Sequence, residues 1–220
     1  MKITLLCVGK IKESFYRDAV AEYSKRLETK QEAYALLEQL RHSVFTVTDI
    51  ETKPTKRNPA PPFTTSTLQQ EAGRKFGMSV SQTMQTAQTL YEQGMITYMR
   101  TDSVNLSSLA INTAKEQIIT MFGENYSSPR KYTTQSKGAQ EAHEAIRPSY
   151  ISNQTITGSS AEQKLYSLIW KRTVASQMKA AEIDRTTITI MAEGVDGNFT
   201  ASGETVTFDG FLKLYQESTE

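Results

Sequence analysis

Four prolines in nine positions, at 54, 59, 61 and 62, constrain this chain more than any other feature. They lie in Lys53-Pro54-Thr55-Lys56-Arg57-Asn58-Pro59-Ala60-Pro61-Pro62. Proline fixes its own φ, donates no backbone hydrogen bond and pushes the residue before it out of the helical region. No regular element is expected across 53–62, which reads as a linker or domain crossing, and the hydrophobic period changes on its two sides. Before it, Phe45-Thr46-Val47-Thr48-Asp49-Ile50-Glu51 alternates with the period of a strand. After it the period turns helical.

The helical block carries its own punctuation. Ser66 or Thr67, with Gln69 and Gln70, has the spacing of a capping box, and Gly77 ends that helix. Ser79 with Gln82 opens the next, with Met84, Ala87 and Tyr91 on one face and Gly94 as its stop. A short strand is expected over Met95–Arg100, then a turn at Thr101-Asp102-Ser103, where Asp102 reads as a turn cap. A third helix runs from about Ser107 to Phe122, with Ala110, Ala114, Ile118 and Met121 inward and Gly123 after it. Helix, tight turn, helix, strand is the grammar of a helix-turn-helix or winged-helix unit. Residues 124–160 are polar with little period. A fourth helix covers about 161–178, capped by Ser160 with Gln163, and Leu165, Leu168 and Ile169 share its face.

From Thr186 the period of two returns, with turns at Val195-Asp196-Gly197 and Ser202-Gly203 and strands on either side, the pattern of a β-meander to Phe208. β-prone segments thus flank the helical block, and the expected fold class is α+β: a helical, winged-helix-like domain inserted into a β-rich one. Upstream, residues 31–40 form a helix candidate through Ala33, Leu36, Leu37 and Leu40. Residues 2–9 and 12–28 read as a strand followed by a helix whose face is Phe15, Ala19, Tyr23 and Leu27.

Composition excludes several classes. No apolar run approaches the roughly 20 residues that span a bilayer, and the start lacks the core of a signal peptide, so a cytoplasmic protein with no membrane partner is expected. Cys7 is the one cysteine, which rules out an internal disulfide and a multi-cysteine zinc site. Net charge is +1, with seven Lys or Arg against four Asp or Glu in residues 1–30. A nucleic-acid contact would therefore need a local basic groove or further protein.

Tyr98 is the candidate nucleophile. A phenol is weak at neutral pH because its pKa lies near 10, and a nearby guanidinium favours the phenolate and neutralises a phosphate. On the expected strand, Ile96, Tyr98 and Arg100 point to one side. A tyrosine that attacks a phosphodiester keeps the bond energy in a phosphotyrosine ester, so a strand can be cut and resealed. Most of the ten tyrosines should nevertheless be half-buried packing residues. His143, beside Glu141 and Glu144, has the setting of either a cationic phosphate ligand or a structural histidine.

Three stretches together resemble the type IA DNA topoisomerases. They are Pro61-Pro62-Phe63-Thr64-Thr65-Ser66-Thr67-Leu68-Gln69-Gln70-Glu71-Ala72, then Leu90-Tyr91-Glu92-Gln93-Gly94-Met95-Ile96-Thr97-Tyr98-Met99-Arg100-Thr101-Asp102-Ser103, then Gln140-Glu141-Ala142-His143-Glu144-Ala145-Ile146-Arg147-Pro148. Leu165–Arg172 and Ala175-Ser176-Gln177-Met178 add a further match, in family order. The resemblance implies single-strand cleavage and religation through a 5′-phosphotyrosine, relaxing negatively supercoiled DNA. It makes Tyr98 the nucleophile and Arg100 its support, and places His143 and Arg147 at the DNA phosphate. It implies single-stranded or negatively supercoiled DNA as partner. It also implies Mg2+ held by a toprim portion N-terminal to this region, whose acidic signature is absent from these 220 residues; no metal ligand is expected here. Residues 58–182 would be the tyrosine domain, with 31–57 and 183–220 parts of a hinged β-rich arch.

Residues 1–30 differ. Lys2–Glu13 and Tyr23-Ser24-Lys25-Arg26-Leu27 resemble the start of the ribosomal large-subunit pseudouridine methyltransferase H family, so the chain reads as a mosaic joined near 28–31. The alternatives to a topoisomerase portion are a non-catalytic winged-helix DNA-binding module and, more remotely, an rRNA methyltransferase portion. The second would need a glycine-rich knotted cofactor site, which these residues lack.

Overall fold

The structure, a computed structural model, describes residues 30–132 and 144–216. The strand and helix expected within 2–28, and His143, lie outside them. The chain divides into two compact units. One comprises residues up to Thr55 together with Ile183–Thr205, and the other Lys56–Glu182 with Val206–Glu220. Helices and sheet are both present, as an α+β chain requires. No helix among the described residues is long and apolar enough to cross a membrane.

The first unit holds helix α1 (Lys30–His42) and most of a three-stranded sheet ordered β1-β2-β3, from β1 (Phe45–Arg57), β2 (Ala181–Ala192) and β3 (Asn198–Phe208). Thr48 meets Thr189, Thr52 meets Thr186 and Thr55 meets Ile183 through threonine hydroxyls, so β1 and β2 run antiparallel. Two expectations fail here. β1 does not stop at the prolines but continues through Pro54 to Arg57, because it is an edge strand, where a proline can turn its missing N–H to solvent. The Ser202-Gly203 turn does not exist either. β3 passes straight through it, leaving two strands where the pattern suggested more, and β2 begins at Ala181 rather than Thr186.

The second unit packs α2 (Thr65–Phe76), α3 (Val80–Glu92), α4 (Ser108–Phe122) and α5 (Ser160–Ser176). Its core includes Phe63, Leu68, Leu90, Ile118, Ile146, Tyr166, Ile169 and Met178. The caps lie close to their expected places. Thr64, not Ser66, caps α2 and shares a box with Thr67, and Gly77 closes it at φ 67°. Ser79 and Ser107 cap α3 and α4, while Ser159 with Glu162 caps α5 one residue early. On α3 the buried face is Thr83, Ala87 and Leu90, so Tyr91 and Met84 are not its centre. On α4, Ala110, Ala114 and Ile118 are buried as the spacing requires.

After β3, a short 3-10 turn at Gly210–Lys213 sends Phe211 and Tyr215 into the helical unit's core. Tyr215 donates to buried Glu71 at 3.1 Å, and Arg172 reaches the Tyr215 oxygen at 3.3 Å and the Pro61 carbonyl at 2.7 Å. Gly210 sits at φ 51°, where an added Cβ would lie 2.5 Å from the Lys179 carbonyl oxygen.

Candidate active site

Met95–Arg100 is not a strand. One antiparallel bridge, Ile96 to Pro148, is all the pairing it makes. The ladder does not spread, because the Met95 N–H goes to the Leu90 carbonyl, the Arg147 N–H goes to the Thr97 hydroxyl, and Gly94 turns the chain at φ 71° immediately before it. Ile96 is buried and Tyr98 exposed, so the expected common face of Ile96, Tyr98 and Arg100 does not exist.

What replaces the strand is a loop held on both sides of Tyr98. On the N-terminal side, the Thr97 N–H donates to the Arg147 carbonyl at 2.9 Å. The Thr97 hydroxyl donates to the Ala145 carbonyl at 2.7 Å and accepts from the Arg147 N–H at 2.9 Å. On the C-terminal side, Met99 is buried, and the Thr65 hydroxyl donates to its carbonyl at 2.8 Å. The Thr65 N–H donates to the Thr101 carbonyl at 2.9 Å, and the Thr65 hydroxyl accepts from the Thr101 N–H at 2.9 Å. Both neighbours of Tyr98 are therefore fixed to other elements while its own ring stays 41% exposed. That ring meets Tyr91 edge-on, centroids 5.4 Å apart.

Glu144 ties the partner segment down. One carboxylate oxygen accepts from the Ser107 N–H at 2.6 Å, at the start of α4. The other accepts from Arg147 at 2.6 and 3.1 Å. Burial would raise this carboxyl, but the hydrogen bonds from Arg147 and Ser107 outweigh it and hold its pKa below the ordinary carboxylate value.

The candidate residues thus differ in setting. Arg100, two residues from Tyr98, is exposed to solvent. Arg147 is 15% exposed, with its guanidinium on Glu144 and on the Pro148 carbonyl at 2.9 Å. Thr65, Thr97 and Glu144 were not singled out from sequence as parts of the site. Among the other tyrosines, burial pushes the phenols of Tyr132 and Tyr215 up and that of Tyr166 up to about 12, which disfavours the nucleophilic phenolate there. Asp102 is exposed. Among the described residues no three His, Cys, Asp or Glu side chains come together. The described residues do not fit a magnesium site.

A family model described as DNA topoisomerase matches residues 2–220, and so takes in the segment that resembles the methyltransferase start. DNA topoisomerase 1 of Synechococcus elongatus is 51% identical over 196 residues, 87% of this chain and 22% of that protein. DNA topoisomerase 1 of Streptomyces coelicolor is 50% identical over 196 residues, covering 86% and 21%. The solved structure of full-length topoisomerase I from Thermotoga maritima superposes with a TM-score of 0.71 at 35% identity, over 86% of this chain and 33% of that one. The chain spans about a fifth of the length of these curated relatives.

Proposed function

The chain belongs to the type IA DNA topoisomerase family, and from that premise we propose that it is the tyrosine-bearing portion of an enzyme that cuts and reseals one DNA strand at a time. The observation that carries the reading is the loop at 97–101: an exposed phenol whose two neighbours are each hydrogen-bonded to a separate element. A nucleophile held this way loses little conformational freedom when it meets its target, which is where positioning lowers a barrier.

In the proposed reaction the Tyr98 phenol gives up its proton and its oxygen attacks the phosphorus of a DNA backbone linkage. The oxygen–phosphorus bond forms as the bond to the 3′ oxygen breaks, and that oxygen takes up a proton. The 5′ phosphate is left on Tyr98. Attack by the 3′ hydroxyl reverses each step and reseals the strand. Exposed Arg100 supplies positive charge to the phosphate. His143 is assigned to the same phosphate by its place in the motif. For Arg147 the geometry favours an additional duty: its backbone receives and supplies the hydrogen bonds that hold Thr97.

In this reading residues 58–182 are the tyrosine domain, and 31–57 with 183–220 belong to an arch that lets that domain lift. The substrate is single-stranded or negatively supercoiled DNA in the cytoplasm, and the magnesium-binding acids come from the toprim portion of the enzyme. The test is a plasmid relaxation assay. The 220-residue chain alone is expected to leave supercoiled DNA unchanged with or without magnesium, and addition of a toprim-bearing portion to restore relaxation that Tyr98→Phe abolishes. Relaxation by the chain alone would refute the division of labour.

A further inference from the structure

The last turn of α2, the first three turns of α5 and residues 214–216 enclose a cavity of about 550 Å³. Lys75, Phe76, Gln163, Lys164, Ser167 and Lys171 line it, and among the described residues no Asp or Glu does. The charge of Lys75 is already met, by Glu71 at 3.4 Å. Lys164 and Lys171 are exposed and meet no acidic side chain among the described residues. They lie two turns apart on one helix face, about 10 Å along the axis. Phe76, which lines the same cavity, is an aromatic ring left 37% exposed at the end of its helix.

Cations and a partly exposed aromatic ring lining one cavity are what a single nucleic-acid strand requires: phosphates meet the charges and a base stacks on the ring. An acidic peptide would use the lysines and leave the ring idle. We infer that this cavity is a second contact site for single-stranded DNA, in which Phe76 stacks on a base and Lys164 and Lys171 each meet a phosphate. The inference rests on the family's substrate being DNA. Its place is separate from the cleavage loop. Thr65, the first residue of α2, anchors that loop, and Phe76 is the last residue of the same 12-residue helix. Thr65 and Phe76 stand roughly 16 Å apart along that axis.

The experiment is fluorescence anisotropy of a labelled oligothymidine with the 220-residue chain, across a salt series. Each phosphate contact on a single strand contributes about 0.7 to the slope of log affinity against log salt, so Lys164→Gln with Lys171→Gln should reduce that slope by about 1.4. Phe76→Leu, which keeps apolar bulk, should weaken binding about fivefold or more with the slope unchanged, and an oligonucleotide abasic at its centre should lose affinity in the same way. An unchanged slope in the lysine variant, equal binding of the abasic strand, equal competition by polyglutamate, or no binding by the parent chain would each overturn the site. The Tyr98 reading is judged separately, by covalent adduct formation. An adduct with an unchanged lysine slope sinks only the cavity, and a changed slope without an adduct sinks only the nucleophile.

Discussion

Thr65 shows what a motif hides. Its hydroxyl bonds to residues 34 and 36 positions away, and nothing in the local pattern around it distinguishes it from the adjacent cap Thr64. Tyr98 was legible because its neighbours form a dense motif, whereas Thr65 and Thr97 act through backbone groups that only the folded chain brings near. Thr65→Val keeps the shape and removes the hydroxyl, leaving the Thr101 N–H without its acceptor. A loss of about 1–3 kcal/mol in denaturant unfolding is expected, together with slower adduct formation by the completed enzyme. Gly210 makes the second prediction at this scale. An alanine there meets both a positive φ and the carbonyls of Lys179 and Ala180. Gly210→Ala should therefore cost at least about 1–2 kcal/mol, seen as a lower urea midpoint with the same m-value.

Among elements, helices were read closely and strands less so. The helix stops at Gly77 and Gly123 and the inward face of α4 follow from spacing alone, because these signals are local. The caps of α2 and α5 fell one to three residues from their expected places, since several adjacent Ser and Thr residues suit the same role. Met95–Arg100 failed as a strand because the Arg147 N–H that would extend its pairing goes to the Thr97 hydroxyl, a contact 50 positions away and invisible to a local reading. β1 went the other way, since a proline is ruled out of a central strand and β1 is an edge. The Glu144 bridge to Ser107 and Arg147 adds a pH dependence to this packing. Its carboxyl is held below its ordinary pKa, so the stabilisation is complete above the unfolded value near 4.5 and fades as pH falls through the lower folded value. Glu144→Gln should remove that acid-limb dependence from a pH series of melting temperatures. An unaltered acid limb would show that the bridge contributes nothing.

For the whole molecule, the helical unit has its own core from Phe63 to Tyr215, and the relatives align with 86–87% of the chain. Deletion of residues 1–28 should accordingly leave the melting temperature within a few degrees, given that about 1 kcal/mol shifts a domain of this size by roughly 2–4 °C. A collapse on deletion would show that the segment is integral, in keeping with a family match that starts at residue 2. Cleavage is the property that the 220 residues should not display alone, because each electrostatic partner missing from a phosphoryl transition state costs about 10² to 10³ in rate. The most direct test of Tyr98 is adduct trapping. The chain is combined with a toprim-bearing portion and magnesium, given a single-stranded oligonucleotide labelled at its 3′ end, and denatured. Label is expected on the 220-residue chain through Tyr98, and none with Tyr98→Phe. Label persisting in that variant, or mapped to any other tyrosine, would contradict Tyr98 as the nucleophile.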